Sequence, residues 1–160
     1  MHTASRPCEP VALARIRKFL LVTLAAGLVG TLSELLLLGH FESVLQWTPL
    51  ALLGVGLVIA AWHAARPRAL TVRTLQLVMA LFVAIGMIGV GLHYDGNLEF
   101  ELEITPTMSG FELVRNALTG ATPVMAPGSM ALLGLVGLAH AYRHPCVTPD
   151  DDGIHSGGLL

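Results

Sequence analysis

Leu75-Gln76-Leu77-Val78-Met79-Ala80-Leu81-Phe82-Val83-Ala84-Ile85-Gly86-Met87-Ile88-Gly89-Val90-Gly91-Leu92 is a run of 18 residues without a charge. As a helix it covers about 27 Å, close to the ~30 Å hydrocarbon layer of a bilayer. No polar face recurs at helical period, as a soluble helix would need. The run therefore reads as a membrane-spanning helix, and three other blocks repeat its character. Residues 19–39 are 21 residues with one charge, Glu34; residues 49–65 are 17 with none; residues 124–142 are 19 with none. Over all 160 residues, 54% are apolar and 12% charged, with a mean hydropathy of +0.70.

Soluble domains carry about 25% charged residues, so this composition excludes a disordered chain. Nine Lys+Arg against eleven Asp+Glu give a net charge of −2, without the basic excess of a nucleic-acid binder. The expected fold is an all-α membrane protein: a four-transmembrane-helix bundle with helices at about 19–39, 49–65, 70–92 and 124–142. These fall in a domain spanning 15–144, between a flexible N-terminal tail, 1–14, and a flexible acidic C-terminal tail, 145–160. The run Arg15-Ile16-Arg17-Lys18 before Phe19 looks like the start of a signal peptide. Its apolar stretch outruns a signal h-region and no A-x-A site ends it, so a retained helix is expected.

Eight of the nine basic residues precede the first helix, lie between the second and third, or follow the fourth; Arg115 is the exception. The positive-inside rule then places both termini in the cytoplasm of an inner (plasma) membrane, with loops 41–48 and 93–122 outside. Trp47 and Trp62 stand 15 residues apart, about 22 Å along a helix, as interfacial aromatics do. Thr48-Pro49 reads as an N-cap and first helical position, and Pro127 as the same for the fourth helix after an extended approach from Val124 to Ala126. Asp95-Gly96 reads as the end of the third helix, and Arg66-Pro67 as the end of the second. Phe82, Gly86, Gly89 and His93 form one stripe and Met130, Gly134, Gly137 and His140 another, the small-residue seams by which helices pack in lipid.

The outer loop alternates strictly over Leu98-Glu99-Phe100-Glu101-Leu102-Glu103-Ile104, the period of a strand. Ser109-Gly110-Phe111-Glu112 reads as a capping box opening a short helix over 110–119, ended by Gly120. Phe111, Val114 and Leu118 share one face of it, able to rest on the membrane or on the bundle. Cys8 and Cys146 fall on the cytoplasmic side, where a structural disulfide is not expected.

Glu34 is an ionisable group inside a membrane helix, a functional candidate by default. Thr23, Gly27, Gly30 and Glu34 share one face, so Glu34 is expected to point inward, as a working carboxyl or as hydrogen-bond glue. On the outer side His40, Glu42, His93, Asp95, Glu99, Glu101, Glu103 and Glu112 gather imidazole and carboxylate, which suit hard or borderline divalent cations. The expected ligands are Glu34, His40, His93 and Glu99; the plainer alternative is an acidic loop that binds nothing. A second pattern sets His40 and His93 at the outer helix ends and His63 and His140 at the inner ends, with His144 one turn beyond His140. One pair at each face would suit two bis-His haems. This loosely resembles the plan of di-haem cytochromes b, without a family motif and with the histidines at helix ends rather than a turn or two inside. His140 and His144, at i and i+4, form a lesser metal candidate.

No nucleophile elbow, H-E-x-x-H, P-loop or G-x-G-x-x-G motif is present. The expected function is non-enzymatic: a small multi-pass inner-membrane protein presenting its acidic outer face to a divalent cation or a partner membrane protein. The alternatives are a haem-binding electron carrier and a subunit or assembly factor of a larger membrane complex; a homo-oligomer is a further possible assembly, and nucleic acid is not an expected partner. The orientation has a direct test. A cysteine placed at Thr107 should react with a membrane-impermeant thiol reagent in intact cells while Cys146 does not; the opposite labelling would invert the topology.

Overall fold

The computed structural model describes residues 10–120, 122 and 124–147, and in them the chain is entirely helical. Five helices follow in order: α1 (Val11–Leu37), α2 (Val44–Ala65), α3 (Ala69–Ile104), α4 (Gly110–Thr119) and α5 (Gly128–Ala141). α1, α2 and α3 are long and apolar enough to cross a membrane. Their outward faces carry large apolar side chains such as Phe19, Leu37, Val58 and Leu77, all more than half exposed, a surface suited to contact with lipid.

The expected fourth span is the first correction. Only 14 residues of that block are helical, about 21 Å, which is short of the hydrocarbon thickness. Val124 to Pro127 form turns rather than an extended approach, and Pro127 is the N-cap instead of the first helical residue. α5 is nonetheless the fourth member of the bundle. α1 packs on α2 and α5, and α3 packs on the same two, so α1 and α3 face each other across one diagonal and α2 and α5 across the other. Phe82, Leu24, Leu28, Leu53, Leu75 and Met79 fill the centre without solvent exposure.

The glycine stripes are the seams. At Gly86 a Cβ would stand 2.6 Å from the Ala131 nitrogen, and at Gly134 it would stand 2.6 Å from the Met79 oxygen. Each obstacle is the facing helix's backbone, which no side-chain rotation relieves. Backbones thus approach closely where lipid provides no hydrophobic drive for association.

The second correction concerns the outer loop. Among the described residues there is no strand: residues 98–104 are the last turns of α3, which runs 36 residues without ending at Asp95-Gly96. Glu and Leu are strong helix formers, and extending an existing helix avoids the cost of nucleation. A lone strand would have left its backbone unpaired. α3 stops instead at Thr105, before Pro106, which disfavours helical backbone in the residue preceding it. α4 then folds back along it. Asn97, buried, donates to the carbonyls of Ala117 at 2.9 Å and Thr122 at 2.8 Å, and its Oδ1 accepts the Thr122 N–H at 3.1 Å. The span and end of α4 match expectation, with Ser109 as N-cap, but Ser109 makes no side-chain cap bond. Ala117 faces inward, while Phe111 is 82% exposed and Val114 and Leu118 are also open, so that apolar face does not rest on the bundle.

Two helix starts also moved. α2 begins at Val44, capped by Ser43, whose hydroxyl accepts the Gln46 N–H while Gln46 Oε1 accepts the Ser43 N–H at 3.1 Å. Ser43-Val44-Leu45-Gln46 is therefore the working capping box, and Pro49 lies inside the helix. α1 begins at Val11, so residues 11–14 are helical; the remainder of both expected tails, 1–9 and 148–160, lies outside the described residues. Gly86→Val and Gly134→Val should each lower stability by about 1–3 kcal/mol, the cost of overpacking. Gly30→Ala, which adds a methyl where nothing lies within 4 Å, should not lower it. Thermal unfolding in micelles followed by circular dichroism reads all three.

Candidate metal centre

Three buried histidines meet where α2, α5 and the turn after α5 come together. His63 is 3% exposed, His140 3% and His144 8%, and one ligand nitrogen of each lies within 4.8 Å of the others. His63 Nε2 and His140 Nε2 are 3.0 Å apart. Their rings are edge to face at 5.1 Å, and His144 stands 5.2 Å from His63 and 5.8 Å from His140 between ring centroids.

The outer hydrogen bond of His140 fixes its tautomer. His140 Nδ1 lies 3.0 Å from the Arg17 carbonyl oxygen. A carbonyl only accepts, so His140 carries its proton on Nδ1 and turns the Nε2 lone pair inward. His63 Nδ1 lies 3.0 Å from Thr71 Oγ1. That hydroxyl accepts the Arg68 N–H at 3.0 Å and has the carbonyls of Arg68 at 2.9 Å and Arg66 at 3.2 Å, as well as His63 Nδ1, within reach of its single proton. The 3.0 Å contact between His63 Nε2 and His140 Nε2 is a hydrogen bond when His63 carries its proton on Nε2, with His63 Nδ1 then accepting from the Thr71 hydroxyl. A metal ion held by both Nε2 atoms would take the place of that bridging proton. His140, held by an Nδ1–H bond to a fixed carbonyl, has the arrangement that metal-binding histidines use.

Arg17 builds the floor of the site. Its guanidinium, 8% exposed, donates to the carbonyls of His140 at 2.7 Å, Tyr142 at 2.9 Å and Arg143 at 3.0 Å. Gln76 Nε2 donates to Ala141 O at 3.3 Å. The C-terminal carbonyls of α5 and the negative end of its dipole are thus met by a fixed cation and an amide. Arg143 holds a φ of +44°, a left-handed conformation that non-glycine residues adopt at a cost. This turn brings His144 back towards the other two imidazoles. The Cys146 N–H donates to His144 Nδ1 at 3.2 Å.

Four ligands of a tetrahedral zinc-type ion with metal–nitrogen bonds of about 2.0–2.1 Å stand about 3.3 Å apart. His63 and His140 are already near that separation. His144 must close in, and the turn that carries it is the part of the site best able to move.

The four ligands expected on the outer side are not brought together. Among the described residues, the group of three or more able to share an ion is His63, His140 and His144. Glu34 lies on an exposed face of α1 rather than pointing inward. Glu99 is six residues beyond His93 in one helix, about 9 Å along the axis and well round the barrel from it. His40 and His93 do lie near enough to feel one another's charge, and His93 Nδ1 is buried without a hydrogen-bond partner. The inner pair does not fit the haem alternative: nitrogens 3.0 Å apart, with rings edge to face, leave no width for a porphyrin between them. The sequence showed His140 and His144 one turn apart and His63 at the same membrane face. It paired His63 with His140 as haem ligands and His140 with His144 as a metal candidate, and did not join the three.

No protein-family model, no curated protein and no solved structure matches the chain. The site therefore stands on its own geometry. Arg17→Ala should destabilise the bundle by about 3 kcal/mol or more, since three carbonyls lose their donor at about 1–3 kcal/mol each. Arg17→Lys should fall between, because an ammonium cannot reproduce the fork of the guanidinium. Thermal unfolding midpoints in micelles would show the order.

Proposed function

We propose that the chain is a membrane-embedded metal-binding protein that holds one divalent transition-metal ion through His63, His140 and His144 at the basic, cytoplasmic face of its bundle. The observation that carries this is the convergence of three buried imidazoles, one ligand nitrogen of each within 4.8 Å of the others, with the Nε2 atoms of His63 and His140 3.0 Å apart and both rings held from the other side at Nδ1. Imidazole ligands suit zinc, copper, nickel and iron, whereas hard calcium and magnesium prefer oxygen. Three protein ligands are fewer than the four of a closed structural zinc site. The reading retains a cation as ligand and moves it from the acidic outer face to the basic inner one.

The purified protein should bind one Zn²⁺ per chain, measured by calorimetry in about 0.15 M salt, where diffuse attraction is screened. Binding should vanish in His63→Ala and His140→Ala and weaken in His144→Ala. Thr71→Val should weaken it by about 10–100-fold, the usual effect of losing an outer partner of a ligating histidine. Affinity should fall as pH falls, because protons and metal compete for the same lone pairs. Binding that survives His63→Ala and His140→Ala but disappears in His93→Ala would return the site to the outer face and overturn the proposal.

A further inference from the structure

We propose, independently of the metal centre, that the cavity between α1 and the end of α5 holds one anionic phospholipid, with its acyl chain on the apolar walls and its phosphate on Arg143. The cavity measures about 190 Å³. Its walls are Leu13, Ile16 and Leu20 of α1 and Ala139 of α5, and Tyr142 and Arg143 form its polar rim. Arg17 also lines it, with its guanidinium committed to three carbonyls.

The cavity is continuous with the surface that the bundle turns to lipid. Leu132, Leu135, Ala139 and Tyr142, at i, i+3, i+7 and i+10, are all exposed, so the outward stripe of α5 runs down into it. Leu13, Ile16 and Leu20 follow at i, i+3 and i+7 on α1 and form the facing wall, with Ile16 55% exposed. An acyl chain therefore enters from the bilayer without crossing water. The order of the lining matches an amphiphile: Leu20 lies one turn deeper into the apolar block than Arg17, whereas Tyr142 and Arg143 follow the end of α5 at Ala141. A small soluble anion would gain nothing from the apolar walls.

Charge selects the headgroup. The side chain of Arg143 is exposed and no described residue bonds it; the carbonyl of Arg143 is what accepts from Arg17. A guanidinium stays charged at any physiological pH, and its fork fits phosphate oxygens. Arg15, Lys18, Arg66, Arg68 and Arg73 are exposed at the same end of the bundle. Basic pockets between membrane helices are where anionic headgroups are held.

The test is native mass spectrometry of the full chain in neutral detergent micelles, with equal amounts of phosphatidylglycerol and phosphatidylcholine added. One phosphatidylglycerol per chain should be retained in preference to phosphatidylcholine by about fivefold, the effect of one basic residue at a membrane surface. Arg143→Gln should lose the preference. Ala139→Trp, which fills the cavity from an exposed position without altering charge, should lower retention, and helical circular dichroism checks that both variants fold. Arg73→Gln removes the same charge at the same end, away from the cavity, and should leave the preference intact. Equal retention of the two lipids by the wild type would overturn the proposal. So would a preference that Arg73→Gln lowers as much as Arg143→Gln, which marks diffuse attraction, or retention unchanged in Ala139→Trp, which places the lipid elsewhere. Displacement of the lipid by millimolar inorganic phosphate would assign the site to a free anion and overturn it as well.

Discussion

The last carbonyls of α5 are the constraint around which one end of the bundle is arranged. In a membrane no backbone polar group can be left without a partner, and a 14-residue helix has no length to carry its end far into water. Arg17 reaches three carbonyls at this end and Gln76 a fourth. To place Arg17 there, α1 must be helical ahead of its apolar block and must lie against α5. The same placement brings the Arg17 carbonyl to His140 Nδ1, and the strained turn at Arg143 offers its oxygen to the guanidinium while returning His144 to the bundle. The histidine centre thus grows out of a helix cap.

Packing in lipid supplies the rest. The small residues of α3 and α5 let those backbones approach until Gly86 and Gly134 leave no room for a methyl. α5 is thereby set at a fixed height and rotation against α3, which carries Thr71 and Gln76. α2 lies across the diagonal from α5. Two imidazoles span that diagonal, one from each helix, and long polar side chains fill the space that helix backbones do not reach. Rigid neighbours on three sides hold His63 and His140, whereas His144 depends on a turn.

Much of this was legible from the residues alone, and what was not has identifiable causes. Charge-free blocks marked the apolar helices, Arg66-Pro67 the end of α2, and the glycine spacing the seams, because each depends on local chemistry. Residues 98–104 misled because strict alternation is a pattern, while their Glu and Leu content is a helical propensity. Continuity with α3 decided between the two. Thr48-Pro49 hid the true start of α2 at Ser43-Val44-Leu45-Gln46, where a side-chain amide completes the cap. α5 looked like a span by composition, but turns consume its first four residues. The centre was half visible: periodicity places His140 and His144 together, but only the tertiary arrangement could bring His63 and the Arg17 carbonyl to them.

The placing of the proposed metal centre at the basic end rather than the acidic end follows from what binding requires. Carboxylates spread over α3 and α4 raise the local concentration of cations, yet salt screens that attraction within about 8 Å. A site needs ligand lone pairs that converge in a fixed geometry. Glu99 and Glu103, four residues apart on an exposed helix, have nothing to aim them at a common point. His63 and His140 are aimed by Thr71 and by a backbone carbonyl, in a setting too buried to be screened. The guanidinium of Arg17 donates to three carbonyl oxygens at the end of α5. Convergence outweighs net charge.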